Sequence, residues 1–539
     1  MKTPDGKYHL FYQYNPYDPF WGNITWGHAS SNDLIHWKDE SNALVPDQPY
    51  DHLAIFSGSG ITQGYQGKPT VAYTAVSKLP ISWKISYPLD AEQQALAYSE
   101  DNGSTWKKLG VVIPTPPDTN RTGFRDPYLF RSSTFDALLS NGSATSEYIY
   151  MTISGGTNSS TKGGRLWLYK SQDWINWELF PTPFYEATGD QRLNQYSDYT
   201  FGYNWEMSNY FVLNEEEADH SPNDPDEWHA TIIGVEGNSV YNTIRWPAWS
   251  LGRVESSDIQ FIPEITGILD NGIDYADNSF YDVATNQRIV WGWVTEDDSE
   301  NDEVRRAQGW AGMLTVPREL FLFKKPGILL TDHLTNFTGS MKFVPDNGQE
   351  THSVTTLGIR PIRELEHVRD KVEVQLVDFK LTASLEGRST SHLTAGKRSY
   401  EIRAVFDYSH DPTAQAGFTL MQSEDGSEET VIIYDPVTSN ITIDRSKSSL
   451  DPRYSSTTQW GEFPLFNTSG GLERLDLRVF VDNSIIEVFA NDRFALTTRV
   501  YPTQPHSTQI SLNLAKGEEV LVEELTLWSI TEKAFPDRR

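Results

Sequence analysis

Acid–base chemistry by carboxylates is the reaction type this sequence can support. The chain has no Cys, which excludes thiol nucleophiles, disulfides and Cys-based zinc sites. It contains no glycine-rich phosphate loop ahead of a helix, no His-Glu-x-x-His and no Gly-x-Ser-x-Gly. With 74 Asp and Glu among 539 residues, only surroundings can single out a carboxylate. Asp126 lies in GFRDPYLF, between Arg125 and Pro127. A neighbouring guanidinium should keep it ionised, although the same dipeptide also reads as an ordinary Asp-Pro turn. Glu206 lies in FGYNWEMSNYF, among Tyr203, Trp205, Tyr210 and Phe211. Desolvation in such company would raise its pKa, as a general acid needs. The competing reading is an outward-facing Glu on a half-buried strand.

The elements that must carry these residues are β-strands. Three segments share a Ser, an Asp two residues on and a closing Trp: SSNDLIHW ending at Trp37, SEDNGSTW at Trp106 and SQDWINW at Trp177. Each follows a β-rich run, and each reads as a tight hairpin connection with a packing anchor. A second series interleaves with it: GKYHLFYQYN, GKPTVAYTAV, SEYIYMTISGG, EWHATIIGVEG and NQRIVWGWV. Five β units that cannot bury their faces alone predict a five-bladed β-propeller over residues 1–346. The polar stretch 347–370, whose later part suits a short helix, reads as a linker. From 371 to 539 alternating strands with turns at VDNS and ANDR predict an antiparallel β-sandwich.

The net charge of −30 argues against nucleic acid and anionic membrane surfaces as partners. It suits a neutral ligand, and the 13% aromatic content suits either sugar stacking or strand packing. No stretch is apolar enough to span a bilayer. Eight Asn-x-Ser/Thr sequons, at Asn23, Asn102, Asn120, Asn141, Asn158, Asn336, Asn440 and Asn467, favour a secreted, N-glycosylated protein. No secretory leader follows Met1.

Several motifs, in order, resemble those of glycoside hydrolase family 32, the invertases, inulinases and fructosyltransferases. They are FYQYNP (Phe11–Pro16), Trp21–Gly22, WGHASSNDLIHW, FSGSG from Phe56, FRDP from Phe124, WGWV from Trp291, GWAGMLTVPREL from Gly309 and LRVFVDNSIIEVFANDRFALTTRVYP from Leu477. The resemblance implies a retaining mechanism through a covalent fructosyl-enzyme, with the two reacting carboxyl groups roughly 5 Å apart. It makes Glu206 the acid/base, Asp126 the transition-state stabiliser and Arg125 a ligand of sugar hydroxyls. It places Gln13, Trp21, Phe56 and Ser57 around the fructose pocket and Trp293 in its wall. Sucrose and fructo-oligosaccharides are the implied substrates, with no cofactor and no metal.

Two departures stand out. Glu206-Met207-Ser208 replaces the Glu-Cys-Pro of many invertases and resembles fungal enzymes with transfer activity. The family's nucleophile lies in an Asn-Asp-Pro motif further upstream of Gln13 than the 12 residues this chain provides. The expectation is a first blade without its inner strand and a chain impaired in turnover. Asp5, in the turn TPDGKY, is too close to Gln13 to substitute. A fructan-binding protein without turnover and an arabinanase-like propeller are the competing readings.

Overall fold

A computed structural model describes the chain except residues 118–119, 141–147, 159–161, 214–226, 238–244, 256–257, 297–301, 384–388, 394–395 and 539. It is a five-bladed β-propeller followed by a β-sandwich. The first four blades are sequence-local antiparallel sheets, and the fifth sheet also takes in the short strands Asn467–Thr468 and Gly471–Leu472. The second comprises Ala54–Ile61, Thr70–Val76, Glu92–Tyr98 and Lys107–Ile113. The third begins with Arg121–Phe130 and Ile149–Thr157, the fourth with Asn204–Leu213 and Trp228–Glu236, and the fifth with Asp274–Asp282 and Gln287–Val294. Inner strands are covered on both faces by neighbouring blades, so all ten residues of Arg121–Phe130 are buried.

The first sheet has three strands, Tyr8–Tyr14, Thr25–Ser31 and Trp37–Asp39. Both sequence repeats fix their rank. Tyr8–Tyr14 matches the second strand of every other blade. The Ser-x-Asp…Trp turns join the third and fourth strands of blades two and three, and the last two strands of the first sheet. On the inner side of Tyr8–Tyr14, Met1 and Lys2 pair with His9 and Tyr8.

The turns share one construction. Asp33 accepts from the backbone N–H of Ile35 and His36 (2.9 and 2.8 Å), and Asp173 does the same for Ile175 and Asn176 (2.9 and 2.8 Å). Trp37, Trp106 and Trp177 each donate the indole N–H to the carbonyl three residues back, at 3.0–3.1 Å. These Asp residues are therefore structural.

Within the segment expected to be a linker, His352–Pro361 forms a strand of the fifth sheet, paired with Arg318–Leu329. Its buried Val354, Leu357 and Ile359 supply an apolar face, and the polar composition of the flanks hid it. The short helical turn follows at Arg363–Val368. Two six-stranded sheets enclose the C-terminal core, in which Phe406, Phe418 and Leu477 are buried.

Among the contacts that join the halves, two groups stand out. Arg318 is buried and donates to Asp270 (2.9 Å) and Asp274 (3.3 Å) of the propeller, and to Glu487 (2.7 Å) and Thr497 (2.6 Å) of the sandwich. The C-terminal tail returns to the first sheet. There Trp37 N–H bonds the Ala534 carbonyl (2.7 Å), His36 meets Glu532 (2.8 Å) and Arg538 grips Asp39 with two bonds. Of the sequons, Asn23, Asn102, Asn120, Asn158 and Asn336 are exposed, Asn440 and Asn467 are half-buried, and Asn141 lies outside the described residues.

Arg318→Met should destabilise the protein by about 3–5 kcal/mol, because buried carboxylates lose the guanidinium that pairs them. Denaturant unfolding measures this, and a loss below about 1 kcal/mol would show that the network is not a structural tie.

Candidate active site

Four inner strands cross near the propeller axis, and each is interrupted by a bulge at the same level. The breaks fall between Phe56 and Gly58, Arg125 and Tyr128, Glu206 and Asn209, and Tyr275 and Asn278. Bulges re-aim side chains and commonly border active sites. Three of these hold a residue in the left-handed region: Asp126 (φ 60°), Met207 (φ 46°) and Ala276 (φ 57°). Non-glycine residues adopt that region at a cost that the surrounding structure must offset.

Hydrogen bonds then tie the bulges together. Met207 N–H donates to Asp126 Oδ2 at 2.9 Å. Thr74, the cross-strand partner of Phe56, accepts the Asp126 N–H at 2.9 Å. Arg125 donates Nε to Glu92 Oε1 (2.5 Å) and Nη1 to Glu206 Oε1 (3.2 Å). Tyr275 donates to Glu206 Oε2 at 2.8 Å. One chain of contacts, Glu92–Arg125–Glu206–Tyr275, thus spans blades two to five. Asp126 and Glu206 thus lie on neighbouring bulges, linked through Arg125 and the Met207 N–H.

Their environments differ from the sequence expectation. Arg125 turns its guanidinium toward Glu92 and Glu206, and Asp126 is 5% exposed. Burial, then the charge of Glu206, pushes the Asp126 carboxyl up to about 7, although Arg125 and the Met207 N–H pull it back. The adjacent Arg therefore does not keep this Asp ionised. Glu206 has 20% of its side chain exposed and sits between Arg125 and Tyr275. The flanking Trp205, Tyr210 and Phe211 are buried in the core, so the aromatic run belongs to packing and does not surround the carboxyl.

The other expected residues lie on neighbouring elements. Gln13 donates to Ser57 Oγ at 2.8 Å, linking blades one and two. Trp21, 63% exposed, stands edge-on to buried Phe56 with ring centroids 5.6 Å apart. Trp293 pairs across the strand with Tyr275 and packs its indole against Gly312. It is one strand behind the inner layer.

Sequence reasoning missed Glu92, Tyr275, Glu236 and Arg245. Glu92 is fully buried and accepts from Arg125, the Phe124 N–H (2.9 Å) and Tyr87 (2.9 Å). Glu236 accepts from Asn204 (3.2 Å) and Arg245 (3.3 Å), and burial, then Glu206, raises its pKa. Burial, then Glu206, also pushes the Tyr275 phenol well above its ordinary value, so it stays a donor. The only sequence signal for Tyr275 is its place in the fourth inner strand.

The family model for the glycosyl hydrolases family 32 N-terminal domain matches residues 1–332, and that for the family 32 C terminal matches residues 364–529. The chain belongs to glycosyl hydrolase family 32. Among relatives, it is 27% identical to a fructan 6-exohydrolase of Beta vulgaris, over 97% of this chain and 83% of that one. A fructosyltransferase from A. japonicus superposes with a TM-score of 0.88 at 25% identity, covering 100% of this chain and 93% of the other. An Aspergillus kawachii β-fructofuranosidase complexed with glycerol gives 0.88 at 28% identity, covering 100% and 92%. This family 32 hydrolase thus has its two candidate carboxyl groups on the inner strands of blades three and four.

Because the Asp126 carboxyl is raised from 3.8 to about 7 in the fold, folding favours its protonated form. That contribution is complete below about pH 4 and is lost as pH rises through about 7. Asp126→Asn, which mimics the neutral group, should therefore gain stability relative to wild type between about pH 4 and about pH 7.5, by on the order of 2–4 kcal/mol. Thermal unfolding at the two pH values checks this, and an offset independent of pH would contradict it.

Proposed function

We propose that the protein is a β-fructofuranosidase-type enzyme that binds the fructosyl unit of sucrose and fructo-oligosaccharides between Asp126 and Glu206. The observation that carries this reading is the Arg125 bridge. It orients Glu206 from one side while Tyr275 orients it from the other. Glu206 is the partly exposed member of the pair, suited to protonate a leaving-group oxygen and later to activate water. Asp126, buried one bulge away, faces the ring on which positive charge develops. Arg125 binds sugar hydroxyls, and Gln13, Trp21, Phe56 and Ser57 line the fructosyl side.

A retaining mechanism needs one further carboxylate as nucleophile. Glu92 and Glu236 are held by their own donors. Asp5 is held in its turn by Thr3 Oγ1 (2.6 Å) and Lys7 N–H (3.4 Å). On this reading, the nucleophile is a carboxylate other than these three. Exposed Asn23, Asn102, Asn120 and Asn158 support a secreted glycoprotein.

Product analysis on sucrose tests the reading. Glucose plus fructose indicates hydrolysis, kestose-type oligomers indicate transfer, and binding without products indicates a fructan-binding role. Glu206→Gln should lower kcat by about 10²–10⁴. Turnover unaffected by E206Q would overturn the assignment.

A further inference from the structure

We propose that Trp83 and Tyr203 form an aromatic platform at the mouth of the site that binds the sugar units of fructo-oligosaccharides beyond the second. The inference rests on the fructosyl pocket assigned above and deepens it by naming what selects chain length.

Trp83 lies in the loop of residues 77–91, which joins the second and third strands of blade two. The base of that loop is closed by Ser77 Oγ on the Asp90 carbonyl (2.8 Å) and Lys78 Nζ on the Leu89 carbonyl (2.5 Å). Tyr87 of the same loop donates to Glu92, the carboxylate that anchors Arg125. The loop is thus fastened to the centre of the site, and Trp83 extends from it to meet blade four.

There Trp83 and Tyr203 stand with centroids 5.4 Å apart and planes at 47°. Both rings are half-exposed, and neither belongs to a buried cluster. Each rests on a glycine. A Cβ on Gly237 would come within 3.0 Å of the Trp83 indole, and one on Gly189 within 2.2 Å of the Tyr203 ring. Backbone thus supports the platform from behind, which holds large apolar rings in place without burying them. The Tyr203 hydroxyl donates to Asp190 at 3.1 Å, placing a carboxylate at the platform's edge.

Position along the strand gives the subsite. Asn204, next to Tyr203, holds Glu236, and Glu206 lies two residues further on. Three residues of extended chain place Tyr203 about 10 Å from Glu206. A disaccharide with its fructosyl ring at Asp126 and Glu206 would not reach the rings, whereas longer oligosaccharides would. Apolar sugar faces stack on aromatic rings, and flanking polar groups take the hydroxyls.

The test is calorimetric titration of the full chain with sucrose, 1-kestose and nystose. Wild type should bind nystose more tightly than sucrose. Trp83→Ala and Trp83→Leu should lower the nystose-to-sucrose affinity ratio about tenfold. Trp83→Phe, which restores a flat ring, should recover most of it. An unchanged ratio in both W83A and W83L, with thermal unfolding like wild type, overturns the platform while leaving the fructosyl pocket intact. A wild-type chain that binds none of the three sugars overturns the pocket itself and the platform with it.

Discussion

The site depends on one guanidinium. Arg125 is buried, and a buried charge is tolerated only when it is paired and fully hydrogen-bonded. Burial opposes its charge, and Glu92 and then Glu206 more than offset that opposition. The partners come from blades two and four, while Arg125 itself comes from blade three. Three sheets must therefore dock in register before this charge is satisfied. The same requirement delivers Glu206 to its place. Orientation of Glu206 and closure of the propeller are one electrostatic condition.

The four bulges explain why that condition can be met at the axis. A regular strand would send successive side chains alternately into the two flanking blades. The break in register at each inner strand turns one residue out of that alternation, and Asp126 and Met207 occupy such positions. The 2.9 Å bond from Met207 N–H to Asp126 shows how the left-handed backbone is used. The strained residue of one strand presents its amide to the strained residue of the next. Backbone strain is thus spent on pointing a donor at a buried carboxyl.

Much of this was legible in the sequence. The two interleaved repeats give the number of blades, because each marks a turn or strand with a fixed chemical job, as the Asp33 and Asp173 turns show. The order of the family motifs gave Asp126, Glu206 and Arg125. The surroundings were not legible. Arg125 follows the rule that neighbours in sequence need not face each other on a strand, so its partners are 33 and 81 residues away and not the adjacent Asp126. Trp205, Tyr210 and Phe211 near Glu206 face the blade interior while the carboxyl stays partly exposed, a split that composition cannot display. Glu92 sits in AEQQALAY, which carries no local mark of a buried ion pair. The strand at His352–Pro361 was obscured because its polar flanks outweighed a short apolar alternation.

The grip of the C-terminal tail on the first sheet bears on how the molecule is assembled in time. The pairs His36–Glu532 and Asp39–Arg538 join positions 496 and 499 residues apart. Contacts of such separation are the slowest to be reached from a disordered chain, since the intervening segment must first condense. The first sheet consequently gains these contacts only after the sandwich has placed the tail. The clasp of Arg538 on Asp39 is in that sense a completion signal. Its formation is favoured once the intervening blades and the sandwich have condensed.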